Sequence, residues 1–360
     1  MKLVLLGDGE SPHLLKWARA LAPQVELWAA SSRGFAPGFD ALVPAARRLA
    51  LDTRPDFDGG NAGLLRQLPR LAAWLKTAQP DWIHAHYLTS HGTLAWLATR
   101  LLGAPGRLVG SAWGSDILVT PDRSPLLRWL TTRVLRACVL TTSDSQVMAD
   151  RMRTLGADEV MTFPFGLEAL PTAPGDKQDH LVFANRGLVA LYDPGRVLRL
   201  FAGLAAAWPD AQLVVANSGA LLPALQQQAA DLGLADRVRF IGRVDADTQA
   251  GWYAQARWYL SLPTSDSVSV SVLEALAHGC IPILSDLPAN RELVRHGDNG
   301  WIAAGSSLPT AADLQPLLAR AAAIAATNHA WVADHALFGP SVSAFLARLR
   351  ALDACRHLPS

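Results

Sequence analysis

Short apolar segments followed by stretches of helical spacing begin at Lys2, repeat as far as Gly156, break off, and begin again at Leu181. A chain that does this twice is confined to parallel sheets with helices on both faces, because each return to a parallel strand has to cross a sheet face and a helix fills the crossing. In the first series "KLVLLGDG" reads as a buried strand ending in a glycine turn. "SPHLLKWARALAP" follows as a helix, with Ser11 as N-cap, Pro12 in the first turn, and Leu14, Leu15, Ala18 and Leu21 as the apolar stripe. "QVELWAA", "DWIHAHY", "RLVGSAWGSD" and "VLTTSD" continue the strands; "LLRQLPRLAAWLKTAQP", "HGTLAWLATRLLG", "SPLLRWLTTRVLRAC" and "SQVMADRMRTLG" continue the helices. The second series has strands at "LVFANRG", "AQLVVANSG", "RVRFIGRV", "RWYLSLP" and "CIPILSD". Between the two lies "EALPTAPGDKQDH", whose prolines, glycine and mixed charges read as a linker.

The chain has 360 residues, more than one ordinary core holds. The expected division is a Rossmann-like domain over 1–172, a second over 173–340, and a closing helix over 341–360. Two such units joined by a linker are expected to face a central cleft, with ligands beyond the carboxyl ends of the strands. A formal net charge of +1 gives no bulk attraction for nucleic acid. Three cysteines, Cys138, Cys280 and Cys355, form no CxxC pair and suit a reducing cytoplasm. The apolar start "MKLVLLGDGESPH" is too short for a signal peptide, and no uncharged run reaches spanning length, so a soluble cytoplasmic protein is expected.

The stretch "SDSVSVSVLEALAHGCIPILSDLPANREL", Ser265 to Leu293, alternates serine with valine and then places a single carboxylate, Glu274. Alternation over five residues suggests a strand, but Val270, Leu273, Ala277 and Gly279 space like a helix with a glycine stop. Strand, serine loop, helix, strand is the economical parse. A helix N-terminus offers unpaired N–H groups and partial positive charge, and so binds phosphate without lysine. Small serines allow close approach. Glu274 stands where a carboxylate would accept from paired hydroxyls such as a ribose diol, and Asp266 lies eight positions earlier. The bland alternative is a capped core helix with Glu274 solvated.

The same stretch resembles the signature of the retaining glycosyltransferase family four, which has the GT-B fold. "GESPHLLKWARAL", "DWIHAHYLTSHG", "SAWGSDILVTPDRSPLLRWL", "FPFGLE", "RVRFIGRV" and "NHAWVADHAL" are similar to landmarks of its bacterial polysaccharide branch, so the resemblance spans nearly the whole chain. It implies that Glu274 binds the ribose of a nucleotide-diphosphate sugar and that Asp266 touches the donor sugar. It also implies that Ser267, Ser269, Val270 and Ser271, with Gly242, bind the nucleotide diphosphate. Arg186 in "VFANRG" would neutralise charge building on the leaving diphosphate, a transition-state role. No metal and no separate cofactor are implied. A closing helix crossing back to the first domain is implied as well. The activity would be retaining transfer of a sugar to a hydroxyl of a glycan or lipid-linked acceptor during surface polysaccharide assembly.

The chain departs from the family in three places. Aspartate stands at 266 where glutamate is usual. The lysine common after the arginine is missing, with Leu191 and Tyr192 in that region. Trp113 occupies the place of a frequent histidine. An indole cannot act as a base, though it stacks on sugar faces. On the acceptor side, Gly9 and His13 of "GDGESPH", His86, Trp113 and Asp116 are the candidates; a tight turn with a cap is the plain alternative for the first two, and helix capping for Asp116. His84, His86 and His91 lack an acidic or cysteine partner for zinc. Asp56–Asp58 and Asp245–Asp247 look like loop and helix-start acids rather than a metal pair. Arg128, Arg133 and Arg136 beside Trp129 make a helix that can rest on an anionic membrane, or simply pack on the sheet. Two rival functions remain at this level: a nucleotide-sugar epimerase of the same shape, and a non-catalytic scaffold descended from a transferase.

Overall fold

A computed structural model describes residues 1–53, 62–305 and 307–355. The chain divides into two compact units, Met1–Phe163 with Phe338–Ser360, and Pro164–Leu337. The boundary expected after residue 172 falls earlier. Leu167 N–H donates to Ala336 O, and a Cβ on Gly166 would lie 1.7 Å from that same oxygen, so this segment is packed within the second unit.

The first unit is built on a seven-stranded parallel sheet of order β3-β2-β1-β4-β5-β6-β7. Its strands are β1 (Lys2–Gly7), β2 (Glu26–Ser31), β3 (Arg48–Ala50), β4 (Trp82–His86), β5 (Arg107–Ser111), β6 (Cys138–Ser143) and β7 (Val160–Thr162). β1 to β4 is the point where strand order reverses, with Leu3 opposite Trp82 and Leu6 opposite Ala85. The helix Pro12–Leu21 starts as its sequence requires: Ser11 Oγ accepts from His13 N–H, and Leu14, Leu15, Trp17, Ala18 and Leu21 are buried. Trp17 lies between the sheet and the last helix, Phe338–Ala354. Its ring centre is 4.8 Å from His84, 5.0 Å from Phe338 and 5.4 Å from Phe345. That last helix also buries Val342, Leu346 and Leu349. Trp82 Nε1–H donates to Asp353 at 2.9 Å, and Arg348 holds Glu159 through two bonds of 2.6 Å.

The second unit has a six-stranded parallel sheet of order β10-β9-β8-β11-β12-β13. Its strands are β8 (Gln178–Ala184), β9 (Gln212–Ala216), β10 (Val238–Gly242), β11 (Ala256–Ser261), β12 (Ile281–Ser285) and β13 (Trp301–Ala303). Strand order reverses between β8 and β11, so the loops leaving these two strands share the carboxyl edge where such sheets hold ligands. Val182, Leu213, Trp258, Leu260, Ile281 and Ile283 fill one face, and Phe183, Tyr253, Tyr259, Leu273 and Leu284 the other. The strands are apolar on both faces, which explains why they read as continuous apolar runs.

The three-residue edge strands β3, β7 and β13 have no counterpart in the sequence reading. An edge strand needs only a few ladder bonds and little burial, so it leaves almost no apolar pattern. The stretch "LLRQLPRLAAWLKTAQP" forms two helices, Ala62–Arg66 and Leu68–Ala78, rather than one. Among the described residues, no helix is long and apolar enough to cross a membrane.

Candidate functional site

At the carboxyl edge of the second sheet, the chain leaves β8 through Asn185 and Arg186, and leaves β11 through the serine loop. The loop runs into the helix Val270–Ala277, which stops at Gly279 with φ of +72°. A side chain at Gly279 would meet Pro174 and Ala325 at 2.6 and 2.8 Å, so both conformation and space demand glycine here. The strand Ala256–Ser261, the serine loop, the helix Val270–Ala277 and the strand Ile281–Ser285 follow in the expected order, and a short helix, Pro288–Leu293, closes the stretch. Ser269 is the residue before the helix, yet its side chain makes no capping bond. Its hydroxyl is turned to Arg186 and to Ser271 instead.

Arg186 gathers the site. Its Nη1 donates to Ser269 Oγ and to Ser271 Oγ, the latter at 3.1 Å, and its Nη2 donates to Asp266 Oδ2 at 2.6 Å. The guanidinium lies over the Tyr192 ring, 4.3 Å from its centre. Burial alone would weaken the cation, but Asp266 and the tyrosines Tyr259, Tyr192 and Tyr253 more than offset it and hold its pKa above the ordinary value. Burial pushes the Asp266 carboxyl up despite the arginine beside it and the Ser267 N–H that donates to Oδ1. Arg186 thus stands, paired with Asp266, at the positive end of a helix, where unpaired N–H groups favour an anion.

Glu274 sits on the second turn of the helix, half-buried. Gln249 Nε2–H donates to its Oε2 at 3.0 Å, and the Tyr253 hydroxyl reaches the same oxygen at 3.1 Å and Ser271 O at 3.0 Å. Asn185 Nδ2 donates to the Tyr253 hydroxyl, and Tyr259 OH contacts both Asn185 Oδ1 and Ser271 Oγ. A continuous hydrogen-bonded network thus joins Glu274 to Arg186 through two buried tyrosines and an amide. Burial raises both phenols, Tyr259 to about 12, so both stay protonated donors. Asn185, Gln249, Tyr253 and Tyr259 were absent from the sequence-derived candidates. Asn185 adjoins Arg186 in "VFANRG", but nothing in an amide's position along a chain marks its partners.

Ser267 is buried, and Val270 opens the helix. Gly242 ends β10, with φ of +70°, and its carbonyl accepts from Asn217 N–H. It lies at the same carboxyl edge but two strands beyond β8, apart from the Arg186 cluster. Arg196 donates to the carbonyls of Ala303 and Gly305. Asp245 caps the helix Ala246–Gln255, accepting from Thr248 N–H at 2.8 Å, which suits an acid at a helix start. Asp56–Asp58 lies outside the described residues.

In the first unit, the acceptor-side candidates cluster at the carboxyl ends of β1, β4 and β5. A Cβ on Gly9 would come within 2.6 Å of Gly34 O, and its N–H donates to Ser31 Oγ, so the position needs glycine for backbone packing. His13 is exposed, with its ring 4.8 Å from that of Trp113. Trp113 Nε1–H donates to His86 Nδ1 at 3.1 Å, which places the histidine proton on Nε2. His86 is buried and its pKa is pushed well below the ordinary value, first by burial, so it stays neutral. Asp116 corrects an expectation. It is fully buried, with Oδ1 accepting from Trp113 N–H at 2.9 Å and Oδ2 from Leu88 N–H at 2.8 Å. It clamps two loops together rather than presenting oxygen to a sugar, and burial pushes its pKa up to about 6. Among the described residues no three His, Cys, Asp or Glu side chains are grouped to hold a metal ion.

Two doubly wound parallel sheets in one chain are the arrangement of the GT-B fold. The chain belongs to the glycosyl transferases group 1 family, whose model matches residues 173–315, while residues 2–145 match the glycosyl transferase 4-like model. It is 27% identical to a D-inositol 3-phosphate glycosyltransferase of Catenulispora acidiphila over 82% of this chain and 78% of the relative. It is 25% identical to an N-acetyl-alpha-D-glucosaminyl L-malate synthase of Bacillus anthracis over 62% of this chain and 61% of that one. Its fold is shared with Anabaena HepE, solved in complex with UDP and glucose (TM-score 0.76, 17% identity, 96% of this chain and 99% of that chain). It is shared also with sucrose-phosphate synthase of Thermosynechococcus elongatus (TM-score 0.78, 14% identity, 99% and 100%).

Proposed function

We propose that this glycosyltransferase takes a sugar from a nucleoside-diphosphate donor and transfers it, with retention at the anomeric carbon, to a hydroxyl of a glycan or lipid-linked acceptor in surface or exported polysaccharide assembly. The observation that carries the proposal is the convergence of Arg186, Ser269 and Ser271 at the N-terminus of the helix that bears Glu274. In this mechanism the helix-end N–H groups and serine hydroxyls seat the diphosphate, and Glu274 accepts from the ribose diol. As the bond from the anomeric carbon to the β-phosphate oxygen breaks, its electron pair stays on that oxygen. Arg186 stabilises the charge there. The acceptor oxygen bonds to the same face of the sugar and passes its proton to the departing diphosphate. No metal or separate cofactor is part of this scheme. The Anabaena HepE complex with UDP and glucose supports a UDP-type donor, and the D-inositol 3-phosphate glycosyltransferase relative supports sugar transfer. Leu126 and Trp129 are 68% and 49% exposed on the helix Pro125–Ala137, with Arg133 over the Trp129 ring, and these support peripheral contact with an anionic membrane.

The test is steady-state kinetics beside thermal melting with nucleoside diphosphates. Glu274→Ala is expected to raise the donor KM and abolish stabilisation by the nucleotide. Arg186→Ala is expected to lower kcat by roughly two to three orders of magnitude. Wild-type behaviour in both variants would remove the site assignment. A nucleotide sugar isomerised without acceptor would favour an epimerase instead.

A further inference from the structure

The arginine of the donor site is already held by a carboxylate. Asp266 Oδ2 lies 2.6 Å from Arg186 Nη2, while Asp266 Oδ1 accepts from Ser267 N–H at 3.0 Å, so the carboxylate is pinned to the loop that leads through Ser269 into the helix bearing Ser271. The two side chains are only 16% and 20% exposed, so their charges are weakly screened. Any phosphate that approaches the Nη2 edge of Arg186 either displaces this carboxylate or lies within a few ångströms of it. The two substrates of that seat differ in charge. A nucleoside-diphosphate sugar carries two phosphate charges and places sugar hydroxyls, which donate, beyond the β-phosphate. Once the sugar has left and the diphosphate has given up to water the proton it took from the acceptor, the β-phosphate ends in an additional charged oxygen and no hydroxyl remains beside it.

We infer that Asp266 discriminates the donor from the spent nucleoside diphosphate, weakening the product at its β-phosphate and so hastening its release. This rests on the donor-site assignment made above. Like charge costs the product, while the donor meets the carboxylate with hydroxyls, so the penalty is differential and appears in affinity as well as in turnover. Asp266 closes the charge balance at the helix end when the seat is empty and opposes the more charged of its two occupants when it is full.

Asp266→Asn tests this with little change of shape: the single amide oxygen keeps one of the two bonds, to Arg186 or to Ser267, and the carboxylate charge is removed. Calorimetric Kd values for UDP and for UDP-glucose would be measured on full-length wild type, Asp266→Asn and Glu274→Ala, with GDP and GDP-mannose as a second pair. Asp266→Asn is expected to bind the nucleoside diphosphate about tenfold more tightly while the sugar donor gains little or weakens. Product inhibition should sharpen by the same factor. Equal shifts for donor and product, or a weaker diphosphate, would overturn the inference while leaving the donor site in place, provided Glu274→Ala loses both ligands. If wild type binds neither pair, or Glu274→Ala binds them unchanged, the donor-site assignment falls and the inference falls with it.

Discussion

At the scale of single residues, Tyr253 connects stability to binding. Its hydroxyl accepts from Asn185 Nδ2–H and reaches Glu274 Oε2 and Ser271 O, all inside the second unit. Tyr253→Phe keeps the ring packed but strands the buried Asn185 amide donor, which costs about 1–3 kcal/mol. Urea unfolding should show that loss. Glu274 would also lose one of the donors that orient it, so the donor KM should rise with kcat nearly unchanged, a split that lost stability alone would not produce. A stability loss with an unchanged KM would leave Tyr253 a core residue only. Residues of this kind also mark where sequence reading stops. Asp266 and Glu274 are candidates in the sequence because acids beside a serine-rich helix start ask for a ligand, whereas Arg186 is a candidate only through the resemblance of "VFANRG" to the family. Tyr253 and Asn185 are not candidates there, because their significance lies in partners 68 positions apart. Asp116 was misplaced for a related reason: an acid in a polar loop looks solvent-facing until the two backbone N–H groups that surround it are known.

At the scale of elements, the strand β4 carries an unusual load. His84 and His86 are buried on it, and His91 is buried in the turn that follows. Burial lowers His84 to about 3, His91 to about 4, and His86 well below its ordinary value. The unfolded chain binds protons at these sites below about pH 6.5, whereas the folded chain stays neutral until far lower. Their stabilising contribution is therefore complete above pH 6.5 and is lost as the pH falls toward the folded values. Asp116 acts in the opposite sense. Its folded value near 6 exceeds the ordinary one, so its contribution is complete below about pH 4 and is lost as the pH rises through 6. A single-site comparison separates the two. In His84→Asn the fall in unfolding free energy between pH 6 and 4 should be shallower by up to about 1.4 kcal/mol per pH unit than in wild type. An unchanged slope would mean that His84 takes up its proton in the folded state. The strand was legible as an element because "DWIHAHY" alternates toward an apolar neighbourhood. Its neutral histidines were not, since two imidazoles on one face look like a metal pair until their burial against Trp17 is seen.

At the scale of the whole molecule, the first unit is discontinuous in sequence: residues 338–360 complete a body whose remainder ends at Phe163. That return could only be placed by resemblance, because the pattern of an amphipathic helix shows that it needs a partner and not which one. The helix Phe338–Ala354 supplies Phe338, Val342, Phe345, Leu346 and Leu349 to the interior of the first unit, against Trp17 and His84. Burying side chains of this kind contributes roughly 1.5–3 kcal/mol each before the unfolded reference is corrected, so five of them rival the whole stability of about 5–15 kcal/mol expected for a domain. The second unit, by contrast, contains all of the Arg186–Glu274 network between Pro164 and Leu337. A chain ending at Leu337 should therefore fail asymmetrically. Hydrogen exchange should show β1 and β4 losing protection, although the deleted residues lie far from them in sequence, while β8, β11 and the helix Val270–Ala277 keep theirs. Nucleoside diphosphate should still protect the serine loop in the shortened chain, and transfer should be abolished. Uniform loss of protection across both sheets would show instead that the two units, despite their separate cores, fold as one cooperative body.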